Sequence, residues 1–94
     1  MKIIEIVTTT CSVCKMLRPM IEKVTASEGI ELQVFHADIP EEATSVQAFL
    51  DEYAIKSVPA FFFMNGNALV GKHFGAITMP DLKKYINEIK NYGC

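Results

Sequence analysis

Cys11 and Cys14 stand two residues apart in the stretch TTTCSVCK, residues 8–15. Two thiols at that spacing have three chemical uses. They can supply half of a zinc site, close a structural disulfide, or exchange electrons with another disulfide. The other half of a zinc site would have to come from His36, His73 and Cys94, which form no second close pair. A structural bridge across so short a loop constrains the unfolded chain little. Exchange chemistry needs two thiols in unlike surroundings, which depends on the elements that carry them.

Those elements alternate along the chain. Lys2 to Thr8 is a β-branched run that predicts a strand. From Ser12 to Ser27, Val13, Met16, Leu17, Met20, Ile21 and Val24 recur at helical spacing, with Gly29 as the stop. Glu31 to Ala37 reads as a second strand. Glu41 to Tyr53 reads as a second helix, with Ala43, Val46, Phe49, Leu50 and Tyr53 on one face. Ala60 to Met64 is a third strand, apolar enough to be buried on both faces. Asn65-Gly66 signals a hairpin into a fourth strand, Ala68 to Phe74. Thr78 caps a last helix striped by Leu82, Tyr85, Ile86 and Ile89, with Asp81 completing a partial capping box and Pro80 in its first turn. The expected order is β-α-β-α-β-β-α, an α/β fold. Its first two strands run parallel through a right-handed crossover, and the hairpin adds antiparallel partners.

On this map Cys11 falls where the first strand meets the first helix, and Cys14 lies one turn in. Residues at i and i+3 share a helix face, within disulfide reach. The helix N-terminus offers unpaired N–H groups and the positive end of the macrodipole to Cys11. Its thiol should ionise below the free value of about 8.5. Cys14, more shielded, should remain protonated until needed. Thiolate Cys11 would attack a substrate disulfide, and Cys14 would then resolve the mixed disulfide. A close cysteine pair beside a β-α-β pattern points to this use.

Composition narrows the classes. Ninety-four residues fit one domain, 1–94, with enough surface to bury for a single core. A net charge of -2 makes no broad basic field for nucleic acid. The nearest basic cluster, Lys83, Lys84 and Lys90, is diluted by Asp81 and Glu88. No run approaches the ~20 apolar residues of a membrane span. The N-terminal MKIIEIV is too short and is interrupted by Glu5, so it does not read as a signal peptide. With three cysteines, an odd number, a cytoplasmic setting is expected.

Several separate stretches resemble the thioredoxin superfamily. CSVCKMLRP resembles its active-site helix, with Lys15 after the second cysteine and Pro19 where that helix carries its kinking proline. YAIKSVPAFFFMNG resembles the segment that ends in a cis-proline and runs into a strand and NG turn. FGA at 74–76 and LKKYINEI resemble the last strand and terminal helix. The likeness runs from Lys2 to Ile89. It implies a four-stranded mixed sheet flanked by three helices, without the extra N-terminal strand and helix of full thioredoxins. Thr10 stands in place of the family's tryptophan, and Ser12-Val13 in place of glycine-proline. Gly75 is followed by Ala76, Ile77, Thr78 and Met79, not by the aspartate-bearing glutathione motif of glutaredoxins.

The resemblance implies a protein-disulfide reductase whose Cys11–Cys14 dithiol serves as the redox group, with no bound cofactor and no metal. Val58 and Pro59 would shape the substrate groove, Pro59 as a cis residue facing the cysteines. Glu5, six residues before Cys11, stands at the offset of the family's buried proton-transferring aspartate. Read from the strand alone, Glu5 could equally face solvent. His36 falls near a position where the family often has lysine. Lys15 and Arg18 would add positive potential near Cys11. Cys94 reads as an exposed thiol. The partners expected are disulfide-bearing proteins and a thioredoxin-reductase-like electron donor, with the protein a monomer. A glutathione-dependent reductase and a binding or regulatory module on the same fold are the alternatives.

Overall fold

The computed structural model describes residues 1–53, 55 and 57–93. The expected role of Cys94 lies outside the described residues. Four strands, β1 (Lys2–Val7), β2 (Glu31–His36), β3 (Ala60–Asn65) and β4 (Ala68–Phe74), form one mixed sheet in the order β2-β1-β3-β4. β1 and β2 run parallel, with Glu5 opposite Val34. β3 runs antiparallel to both β1 and β4, with Phe61 opposite Glu5 and His73. β1 is therefore an inner strand, paired along both edges. Four of its six residues are Ile or Val, as a strand covered on both faces requires.

The alternation of side chains across that sheet divides the core in two. Ile3, Phe61 and Phe63 point to one face, where α1 (Ser12–Glu28) and α4 (Met79–Asn91) cover them with Ile21, Val24, Leu82, Ile86 and Ile89. Ile4, Ile6, Ala60 and Phe62 point to the other, under Val46, Phe49, Leu50 and Tyr53. All three phenylalanines are fully buried. Each contributes roughly 1.5–3 kcal/mol by leaving water.

The helix expected over Glu41–Tyr53 is interrupted. It forms two short helices, α2 (Pro40–Ser45) and α3 (Gln47–Glu52), so four helical segments, not three, flank the sheet among the described residues. The break falls at Val46, whose φ of -117° and ψ of 17° leave the helical region. Its side chain is the fixed point, buried at 1% exposure in the second core. Its carbonyl accepts from the N–H groups of Phe49 and Leu50 and so opens α3. On α1 the stripe is narrower than the apolar spacing suggests. Ile21 and Val24 are buried, whereas Met16 is 71% exposed.

The hairpin also differs by one position. Asn65 pairs with Ala68 as the last strand residue, leaving Gly66 and Asn67 as the turn. Gly66 has φ +61° and Asn67 does not have positive φ, the pattern of a type II′ turn. The Asn65 side chain instead donates to the Ile89 carbonyl and ties the hairpin to α4. At the start of that helix, Thr78 accepts from the Asp81 N–H at 3.2 Å, the cap expected of it.

Tyr85 fixes α4 over the sheet. Its ring stacks on Phe63 at 4.3 Å and its hydroxyl donates to the Lys72 carbonyl. A Cβ added at Gly71 would lie 3.1 Å from that ring. Held on both sides, the ring has little room to yield. Gly71→Ala is expected to destabilise the protein by about 1–2 kcal/mol through overpacking, read from the urea midpoint. An unchanged or raised midpoint would show that Tyr85 moves aside.

Candidate active site

The site forms where β1 ends and α1 begins. Cys11 is not merely near the helix N-terminus; it is the N-cap of α1, with extended backbone and its Sγ accepting from the Cys14 N–H at 3.1 Å. A sulfur thus takes the place that serine, threonine or aspartate usually fills. The first turn of α1 carries no acidic residue to compete for those N–H groups. Cys11 and Cys14 are joined as a disulfide with Cα atoms 5.3 Å apart. Their environments differ as exchange chemistry demands. Cys11 is half-buried, whereas Cys14 is 2% exposed.

The loop before the helix is held from β2's side. The Thr9 N–H donates to both carboxylate oxygens of Asp38 at 3.1 Å, and its hydroxyl donates to one of them at 2.5 Å. Next to it the Ala37 N–H reaches the Val7 carbonyl. The Thr9 hydroxyl holds the Asp38 carboxyl below the usual carboxylate range. Neither Thr9 nor Asp38 stood out in the sequence; they lie 29 residues apart, and no local pattern pairs them.

Across the site, the Val58 carbonyl lies 3.9 Å from the Cys11 Sγ. The Val58–Pro59 peptide bond is cis, and Pro59 is buried. The Gly75 N–H donates to the Pro59 carbonyl at 2.8 Å, which docks the segment onto the end of β4. The fold therefore brings Val58 and Pro59 to the cysteines from a stretch far away in sequence. His36 points elsewhere. Its ring pairs with Glu42 at 2.9 Å and lowers that carboxyl. Lys15 is exposed on α1.

Glu5 does not face solvent. It is wholly buried, on the same sheet face as Ile3 and beneath α1. Neither carboxyl oxygen has a hydrogen-bond partner among the described residues. Burial pushes its pKa up to about 7, against the pull of Arg18 and with the added push of Glu22. Among the described residues, no three His, Cys, Asp or Glu side chains converge to hold a metal ion.

The family model for thioredoxin matches residues 1–88. The chain belongs to the thioredoxin family. Among similar proteins is the thioredoxin of Buchnera aphidicola subsp. Baizongia pistaciae, 27% identical over 77 residues, which cover 82% of this chain and 67% of that one. The thioredoxin of Buchnera aphidicola subsp. Acyrthosiphon pisum is 24% identical over 78 residues, 83% of this chain and 68% of that one. Among solved structures, spinach chloroplast thioredoxin f superposes with a TM-score of 0.77 at 24% identity, covering 96% of this chain and 70% of that one. Thioredoxin 1 of Thermosipho africanus gives 0.72 at 22% identity, with 98% and 93% covered. The family is one of thiol–disulfide oxidoreductases, and the Cys11–Cys14 disulfide gives this member a redox centre for that chemistry. No helix among the described residues is long and apolar enough to cross a membrane.

Burying Glu5 has a thermodynamic signature. A carboxyl with a raised folded-state pKa holds its proton longer in the native state. Its favourable contribution is complete below the unfolded value of 4.5 and is lost as pH rises through about 7. The change amounts to about 3 kcal/mol. Glu28, Asp38 and Glu42 act the other way: lowered by Lys90, Thr9 and His36, they lose stabilisation as pH falls below the ordinary carboxylate range. Asp38 is exposed, Glu28 and Glu42 are half-buried, and all three act at lower pH. Oxidised wild-type protein is therefore expected to lose stability from pH 5 to pH 8, and Glu5→Gln to lose much less. Urea unfolding at both pH values measures this. Equal losses in the two proteins would remove Glu5 as the cause.

Proposed function

We propose that this protein reduces protein disulfides by dithiol exchange through its CSVC motif, with Cys11 attacking and Cys14 resolving. The observation that carries this reading is the capping geometry. The Cys11 sulfur accepts a helix N-terminal N–H, whereas Cys14 lies buried one turn in. In the reduced protein the same N–H group and the macrodipole favour a thiolate at Cys11.

The steps balance as follows. The Cys11 thiolate attacks one sulfur of the substrate disulfide, forms a bond to it, and expels the other as a thiolate that takes up a proton. The Cys14 thiol gives its proton to the Glu5 carboxylate, directly or relayed through one water. The Cys14 sulfur then attacks the Cys11 sulfur and releases the second substrate thiolate. Two electrons leave the dithiol and reduce the substrate, and the Cys11–Cys14 disulfide remains. A reductase of the thioredoxin-reductase class supplies the two electrons that reopen it. No bound cofactor enters, because the dithiol is itself the two-electron carrier.

Val58 and Pro59 shape the groove in which a substrate segment lies. The position of the Val58 carbonyl near Cys11 supports this, since an extended chain crossing the site could pair with that backbone. A disulfide-bearing protein is a better-fitting substrate than glutathione, because the residues after Gly75 supply no acidic side chain before Asp81. A reducing compartment such as the cytoplasm suits reduction as the working direction.

Cys11→Ser is expected to abolish reduction of an insulin-type protein disulfide. Cys14→Ser should accumulate a mixed disulfide with the substrate, seen on non-reducing gels and by mass spectrometry. A better trap from Cys11→Ser would reverse the two roles.

A further inference from the structure

Glu5 and Arg18 present matching deficits. Glu5 is 0% exposed and both its oxygens lack a partner among the described residues. The Arg18 Nε is also buried, and it too has no partner there. A buried acceptor and a buried donor left open in the same layer of the protein are uncommon. Arg18 attracts the Glu5 carboxylate across the space between α1 and β1, although no hydrogen bond or ion pair joins them in this state. Cys14, Arg18 and Glu22 follow one another at i, i+4 spacing along α1. That column begins with the resolving cysteine, and α1 covers the sheet face to which Glu5 points.

Among the described residues, the charged groups acting on Glu5 lie on α1: Arg18 attracts the carboxylate and exposed Glu22 repels it. The strands on either side place Val34 and Phe61 opposite it. α4 contributes the apolar Leu82, Ile86 and Ile89 to that face. His36, further along β2, is paired with Glu42, and His73 bonds the Ala76 carbonyl and the Tyr85 hydroxyl.

We propose that Arg18 is the internal counter-ion of Glu5, a positioning residue that pairs with the carboxylate and holds the negative charge as it passes to Cys14. This rests on the reading of Glu5 as the proton acceptor for Cys14. During that transfer the proton leaves the Cys14 sulfur and neutralises the Glu5 carboxylate. One negative charge thus moves from Glu5 to Cys14. Arg18 stands one turn from Cys14 on the same helix face, so one cation serves both locations of that charge. Without it, the ionised carboxylate would be buried with only the repulsion of Glu22 for company, and its proton would leave at higher pH.

The test titrates the Glu5 side-chain carboxyl by carbon-13 NMR in Arg18→Met, Arg18→Gln, Arg18→Lys and wild-type protein. In parallel, the pH dependence of the resolving step is followed as release of thionitrobenzoate from a Cys11 mixed disulfide. Arg18→Met is expected to raise the Glu5 midpoint by about one pH unit or more and to move the acid limb of the resolving rate upward with it. Arg18→Lys should restore most of both. Arg18→Gln, which keeps a polar head, serves if the methionine variant does not fold. A Glu5 midpoint unchanged in the uncharged variant would overturn the proposal, as would a midpoint that moves while the rate limb stays. Glu5→Gln separates the two readings. If it leaves the acid limb intact, Glu5 is not the proton acceptor, whatever Arg18 does to its titration.

Discussion

The site depends on one contact, the Cys14 N–H donated to the Cys11 sulfur at the first turn of α1. That contact makes the sulfur part of the helix terminus. It exists because β1 ends at Val7, a short threonine loop follows, and α1 opens at Ser12. The Thr9–Asp38 hydrogen bonds hold the loop from the neighbouring strand, and the Val58–Pro59 segment closes the opposite side. Both supports come from residues far away in sequence, so the site exists only when the sheet is assembled.

Glu5 is hard to explain as a stabilising residue. It occupies an inner strand covered on both faces, where isoleucine or valine fills neighbouring positions. Ionised, it weakens the native state above its midpoint of about 7. A strongly shifted carboxyl under the helix that carries the cysteines has the properties expected of a group kept for chemistry. In the proposed role of Glu5, stability and reactivity oppose each other at this position, and the three buried phenylalanines of β3 beside it help to carry the cost.

Much of this was legible in the sequence. The cysteine spacing, the β-branched first strand and the cap at Thr78 each reflect local chemistry, and local chemistry decides helix ends and strand faces. The break at Val46 was hidden because Val46 and Leu50 keep helical spacing across it; periodicity reports which face is apolar, not whether the backbone is continuous. Met16 carries the same signature as its buried neighbours, yet it stands largely in solvent. The strand pattern around Glu5 left its direction open, since apolar residues on both sides of it are compatible with either face. Only its place in the middle of the sheet decides that it is buried. Asp38 escaped for another reason: its partner Thr9 lies 29 residues away, and only the assembled fold brings the two together. Arg18 was legible as positive potential near Cys11, but its pull on Glu5 crosses from α1 to β1 and has no local pattern.

The central claim is that the end of α1 makes Cys11 the reactive thiolate. The direct measurement is the rate of alkylation against pH for reduced protein carrying Cys14→Ser and Cys94→Ser, which leaves Cys11 as the single thiol. The helix-cap geometry predicts a midpoint well below 8.5, the free-thiol value. A midpoint at or above about 8.5 would contradict it, and with it the assignment of Cys11 as the attacking residue.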